Sequence, residues 1–160
     1  MEDLKELERK YEELGKEIER LKNQQKEYGR LEKGKRYWFT DSFGNKSNEG
    51  DFNSKEDDFR YETGNYFNSK EELEDYIEKI KIRTKLERLA IKLNGGEKID
   101  WNNTLTTKYK ISYDFERGSF DQETNKCWRE QGVIYCYKRN FLEKAIEEIG
   151  EDNLKKLFEN

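Results

Sequence analysis

A stretch of sequence that occurs twice constrains this chain more than any other feature. From Gly64 it reads Gly-Asn-Tyr-Phe-Asn-Ser-Lys-Glu-Glu-Leu, with Ser69 placed to cap a helix and Glu72, three residues on, completing a capping box. Leu73, Ile77 and Ile80 follow at the spacing of one helix face. A shift of 69 residues carries Tyr66 onto Tyr135, Leu73 onto Leu142, Ile77 onto Ile146 and Ile80 onto Ile149. Both copies follow an aromatic, strand-rich segment. The pattern predicts two strand-strand-helix units, 34–94 and 101–150, related by an approximate twofold axis. The expected fold class is α+β: both units on an antiparallel sheet in one domain, 34–160, with a short C-terminal helix.

Ahead of this domain, residues 1–33 read as an amphipathic helix. Leu4, Leu7, Tyr11, Leu14, Ile18, Leu21, Gln25 and Tyr28 keep a strict three-four alternation, the seam of a left-handed coiled coil with one polar residue on it. Alone, such a helix leaves its leucine stripe in water. The stripe occupies only two positions in seven, which favours pairing with another copy of the chain over docking on the domain. A homo-oligomer is therefore expected.

Further along, Arg36–Thr40 reads as a strand, Ser42–Asn45 as a tight turn, and Asn45–Asp58 as a polar, mobile surface loop. Phe59–Glu62 and Asn65–Phe67 flank Gly64 and read as a short hairpin or one bulged strand. A helix from Lys70 runs to Asn94-Gly95-Gly96, where glycine supplies the left-handed stop; that is roughly 24 residues, or about 36 Å. Lys108–Phe115 alternates as a strand and turns at Glu116–Gly118. A second hairpin is expected from Lys126–Glu130 and Val133–Lys138, with Cys127 opposite Cys136. The last helix spans about Asn140–Ile149 and stops at Gly150, and Asp152 caps a final turn.

Composition excludes more than it suggests. Charged residues make up 42% of the chain and the hydrophobic set 32%, a balance that leans toward disorder, but 14% aromatic residues can build a core from few side chains. An aromatic core is expected. The net charge of -4 is spread along the chain, so neither nucleic acid nor a nucleic-acid mimic is favoured. There is no histidine and there are two cysteines, so histidine-based catalysis and an intrachain four-ligand zinc cage are both excluded, and no cofactor motif is present. No run is long enough to span a bilayer and none resembles a signal peptide, which points to the cytosol. There the two cysteines are expected to be small apolar residues rather than a disulfide or half of a shared metal site.

Aromatic rings beside arginines make the best candidate binding set. Trp38, Arg60, Tyr61, Tyr66, Trp101, Asn102, Trp128 and Arg129 sit on expected strands or strand ends, where alternate side chains leave the core. Rings can stack a base or nicotinamide-like group while a guanidinium holds a phosphate through two parallel hydrogen bonds. Arg60 and Arg129 lead the set, since each neighbours an aromatic; the competing reading is a solvated charge guarding a sheet edge. Carboxylate pairs such as Asp57-Asp58 and Glu71-Glu72 lie on polar segments and do not suggest a catalytic acid.

Tyr37-Trp-Phe-Thr-Asp-Ser-Phe-Gly-Asn45, Asp58-Phe-Arg-Tyr-Glu-Thr-Gly-Asn-Tyr-Phe67, Asp100-Trp-Asn102, Tyr109–Asp114 and Leu142–Gly150 together resemble a large, uncharacterised family of small proteins encoded by phages and prophages of Firmicutes. The resemblance covers nearly the whole chain and implies a setting, the bacterial host cytosol, rather than any site residue. Small phage accessory proteins often counter host defence. The expectation is a non-enzymatic, counter-defence binding protein that sequesters a nucleotide-derived host immune signal. The alternative is an inhibitor that binds a host defence protein directly, in the manner of an anti-CRISPR; a nucleic-acid-binding phage protein is the third reading.

Overall fold

The computed structural model describes the backbone of residues 2–27 and 29–159 and the side chains of 6–18 and 29–159. The fold is α+β. Its order is α1 (Glu2–Glu27), β1 (Arg36–Thr40), β2 (Lys46–Gly50), α2 (Lys55–Glu62), α3 (Lys70–Leu93), β3 (Lys108–Asp114), β4 (Ser119–Asn125), α4 (Phe141–Ile149) and α5 (Glu151–Lys155). Two compact units divide the chain, Met1–Asp75 and Tyr76–Asn160, and α3 runs from one into the other. The described strands form two separate antiparallel pairs, β1-β2 and β3-β4, where the sequence suggested one sheet.

In the first unit the β1-β2 turn is closed by Asp41, whose Oδ1 accepts from the amides of Phe43 (2.9 Å) and Asn45 (2.8 Å). Phe67 then pairs back on Trp38 through two backbone bonds of 2.8 and 2.9 Å. The side chain of Asn65 extends that pairing: its amide oxygen accepts from Thr40 N and its nitrogen donates to Thr40 O, both at 2.8 Å.

Residues 45–58, expected as a loop, instead hold β2 and the start of α2. Phe59–Glu62, expected as strand, is helix. The reason is a complete capping box at Ser54, whose hydroxyl accepts from Asp57 N while the Asp57 carboxylate accepts from Ser54 N. Helix α1 also stops short of the expected residue 33, because residues 29–33 leave the helix and Arg30 is held by tertiary ion pairs. Helix α3 keeps its expected bounds, and the Ser69 hydroxyl accepts from Glu72 N at 3.1 Å; Glu72 in return accepts from Asn68 N, one residue earlier than the standard box.

The second unit has the larger apolar core. Ile82, Leu86, Leu89 and Ala90 of α3 bury themselves with Ile111, Phe141, Ala145, Ile149 and Leu154. This core is mainly aliphatic, whereas the first unit buries the aromatic pair Tyr37 and Phe39; the aromatic-core expectation holds only there. Strand β4 was not foreseen: it is polar, and its pairing rests on the turn at Gly118 (φ 65°) and the register with β3.

Lys126–Lys138 is not a hairpin among the described residues. Instead Cys136 pairs with Tyr109 of β3 through backbone bonds of 2.7 and 2.9 Å. Cys127 is therefore not opposite Cys136; it is exposed, Cys136 is buried, and both thiols are free. Helix α4 has no side-chain cap of its own; Gln122 of β4 accepts from Leu142 N (2.9 Å) in its first turn. Gly150 caps α5, where Asp152 had been expected to do so, because φ 90° and ψ 143° at the junction suit glycine alone.

Candidate functional site

The eight residues proposed from sequence divide between the two units. Trp38, Arg60, Tyr61 and Tyr66 lie in the first unit and Trp101, Asn102, Trp128 and Arg129 in the second.

Of the first-unit set, Arg60, Tyr61 and Tyr66 are absorbed by a polar core, and Trp38 lies on β1. Asp51, fully buried, accepts four hydrogen bonds: Oδ2 from Arg30 Nε (2.8 Å) and the Tyr66 hydroxyl (2.9 Å), Oδ1 from Arg30 Nη2 (3.0 Å) and Asn53 N (2.9 Å). Arg30 Nη1 donates to Asp58 at 2.7 Å, and its guanidinium lies 5.5 Å from the Tyr61 ring centre. Arg30 beside it holds the Asp51 carboxyl down to about 2, against the opposing effect of burial. The rings of Tyr37 and Tyr66 stack at 4.1 Å, and burial pushes both phenols up to about 12.

Arg60 was a leading candidate, yet it is engaged three times. It donates to the Tyr37 hydroxyl at 2.6 Å, pairs with Glu49, and sits 3.8 Å from the centre of the Phe39 ring. The Tyr37 hydroxyl in turn donates to Asp57 at 2.7 Å. Burial raises the Asp57 carboxyl, but the amides of Ser54 and Phe52 and the Tyr37 hydroxyl outweigh it and hold the group below its ordinary value. A cavity of about 310 Å³ opens here, lined by Glu49, Gly50, Phe52, Ser54, Glu56, Asp57 and Arg60. Its one cation is already neutralised.

The second unit differs. A cleft of about 390 Å³ lies between the C-terminal part of α3, the segment that follows it, and the 129–135 loop. Trp101 and Arg129 line it, together with Arg83, Glu87, Ala90, Ile91, Asn94, Glu97, Lys98, Ile99 and residues 132–135. The half-buried Trp101 ring meets the buried Tyr135 edge-on, with ring centres 4.8 Å apart. Tyr135 is fixed in turn, since its hydroxyl accepts from Glu130 N at 3.3 Å.

Arg83 is paired with Glu87 at 3.0 Å. Arg129 and Lys98 make no side-chain hydrogen bond or ion pair among the described residues. Asn94 holds the cleft floor to the rest of the unit: its Oδ1 accepts from Tyr137 N (2.8 Å) and faces the Cys136 thiol (3.2 Å). Burial raises that thiol above its ordinary range, which suits a structural cysteine.

Asn102 is exposed and folds onto Asp100, and Trp128 is exposed; neither lines the cleft. Lys98 and Asn94 escaped the sequence reading, because nothing in a lysine or an asparagine at a helix end marks it as a wall. Among the described residues no group of three or more His, Cys, Asp or Glu is arranged to hold a metal ion, and no helix is long and apolar enough to cross a membrane.

On α1, Leu7, Tyr11, Leu14 and Ile18 are all exposed, with 51–82% of their surface in contact with solvent. Leu4, Leu21, Gln25 and Tyr28 of the same stripe lie outside the residues whose side chains are described. No protein-family model, no curated protein and no solved structure matches this chain.

Proposed function

We propose that the protein is a non-enzymatic binder whose second-unit cleft sequesters a small, nucleotide-derived anion, as a phage accessory protein countering host defence would. The observation that carries this reading is the cleft holding a tryptophan beside two cations, Arg129 and Lys98, that have no side-chain partner among the described residues. Its size falls at the lower end of ligand pockets, about 300–1,000 Å³, which suits one base with its phosphate. Trp101 offers a face to the base. Arg129 offers a fork to the phosphate, and Glu97, also without a side-chain partner among the described residues, offers an acceptor to an exocyclic amine. The counter-defence setting comes from the family resemblance alone.

Self-association through α1 belongs to the same proposal. Four large apolar side chains on one exposed stripe are what a second copy of the helix would cover.

A second reading has its own observation. Trp128 is 75% exposed and Leu105 89%, both in second-unit loops, and an exposed tryptophan is the residue type that anchors protein interfaces. In that reading the chain inhibits a host defence protein by contact.

Equilibrium dialysis against mononucleotides and cyclic oligonucleotides separates the two. The sequestering reading predicts that Arg129→Ala weakens binding by about 10- to 100-fold, the worth of one charge-assisted bond, while Trp128→Ala leaves it unchanged. If no nucleotide is retained and only Trp128→Ala abolishes capture of a host protein, the contact-inhibitor reading takes its place.

A further inference from the structure

We infer that Lys108 is the positioning residue of this cleft: its ammonium group ties the loop carrying Trp101 to the loop carrying Arg129 and so sets where the ring stands relative to the guanidinium. The inference rests on the reading of the cleft as a binding site.

Lys108 opens β3 and is fully buried. Its Nζ donates to three backbone carbonyls, those of Asn103 (2.7 Å), Thr106 (3.1 Å) and Lys126 (3.0 Å). An ammonium has three protons, so this group is saturated. No carboxylate pairs with it among the described residues. A buried cation without a counter-ion is tolerated only when every proton is bonded, and here the remaining stabilisation comes from the Trp101 ring, whose centre lies 5.3 Å from Nζ.

The three carbonyls come from two segments. Asn103 and Thr106 belong to the stretch between Trp101 and β3, and Lys126 follows β4, three residues before Arg129. Each segment is closed on itself by an asparagine. Asn103 Oδ1 accepts from Leu105 N (3.1 Å) and Thr106 N (3.2 Å); Asn125 accepts from Cys127 N and Trp128 N and donates to Trp128 O at 2.6 Å. Lys108 joins these two closed loops through a single atom. Carbonyl oxygens converging on one point repel one another, and the cation between them reverses the sign of that interaction. Both walls are thereby set before any ligand arrives, which lowers the ordering cost of binding.

The test reads Trp101 directly. In a Trp38→Phe, Trp128→Phe background Trp101 is the sole tryptophan, and Lys108→Met replaces the ammonium by a methyl thioether of similar length. The expected result, in protein whose far-ultraviolet circular dichroism is unchanged, is a red-shifted Trp101 emission and an acrylamide quenching constant raised about twofold. With ethenoadenosine monophosphate as probe, affinity falls about tenfold, and Lys108→Met causes no further loss once Trp101 is alanine. A folded Lys108→Met protein with unchanged emission and quenching overturns the inference whatever the probe does. Failure of the native protein to bind the probe counts against the cleft reading and leaves the quenching result to decide on Lys108.

If Lys108→Met does not fold, nitrogen-15 spectra of the native protein decide. The inference expects one lysine ammonium protected from exchange and shifted upfield by a ring current that Trp101→Leu removes. Absence of such a resonance overturns it.

Discussion

Replacing Asp51 by asparagine strikes the most heavily bonded carboxylate among the described residues. Both oxygens of Asp51 are acceptors twice over, each taking one proton from Arg30 and one from Tyr66 or Asn53. Whichever way an asparagine is placed, its NH₂ faces two donors, so two bonds are lost, one of them from Arg30, which keeps one bond to the remaining oxygen and its pair with Asp58. Two hydrogen bonds, at least one to a charged group, together with removal of the charge next to a half-buried guanidinium, amount to about 3 kcal/mol.

The depressed carboxyl of the same group, which reflects the same bonds, gives a second figure. A carboxyl held at about 2 instead of 3.8 contributes about 2.5 kcal/mol of stability at neutral pH. Because the folded-state value is depressed, that contribution is complete above roughly pH 4 and is lost as pH falls through about 2. The two figures agree.

In a Trp101→Phe, Trp128→Phe background, Trp38 emission follows the first unit alone during urea unfolding. With a slope of about 1–3 kcal/mol per molar urea, Asp51→Asn lowers the midpoint by about 1–3 M at pH 7, and the gap to the parent closes toward pH 2. A variant that unfolds with the parent at pH 7, or a gap independent of pH, refutes the polar-core argument.

Three further outcomes are expected. Leu14→Asp places a charge on the exposed stripe of α1 and turns the proposed α1-linked oligomer into monomer in sedimentation equilibrium, with circular dichroism of the remaining domain retained; a native protein that is already monomeric, or a variant of unchanged oligomer mass, contradicts the role given to α1. Asn65→Ala removes three bonds to Thr40 and costs about 2–3 kcal/mol in urea unfolding, with exchange protection lost first at the Trp38 and Phe67 amides. Gly150→Ala forces a side chain into φ 90°, ψ 143° and costs about 1–3 kcal/mol, read as a drop in the thermal midpoint of the second unit.

Elements whose signals are local were legible in the sequence. Ser69 and the Gly95-Gly96 pair bound α3 because caps and left-handed stops act within a few residues. Residues 45–62 were misread for the opposite reason. Asp51 and Asp57 look like surface carboxylates until Arg30 and Tyr37 arrive from elsewhere in the chain to bury them. Phe59 and Tyr61 alternate like a strand, and only the Ser54-x-x-Asp57 signature ahead of them marked a helix. Strand β4 carries no apolar alternation, and its place is set by the partner strand.

The site followed the same division. Trp101 and Arg129 were visible as residue types suited to a nucleotide. Lys108 was not: a lysine opening a strand reads as solvated, and its burial depends on carbonyls of two loops that the sequence does not bring together.

The central claim, that the second-unit cleft holds a nucleotide-derived molecule, is tested most directly by native mass spectrometry of protein purified gently from cells expressing candidate defence systems. The account predicts an oligomer carrying a bound mass of several hundred daltons in fixed ratio to subunits. Trp101→Ala and Arg129→Ala should each lose that mass without changing oligomer size. An oligomer with no added mass, or a mass retained equally by both variants, contradicts it.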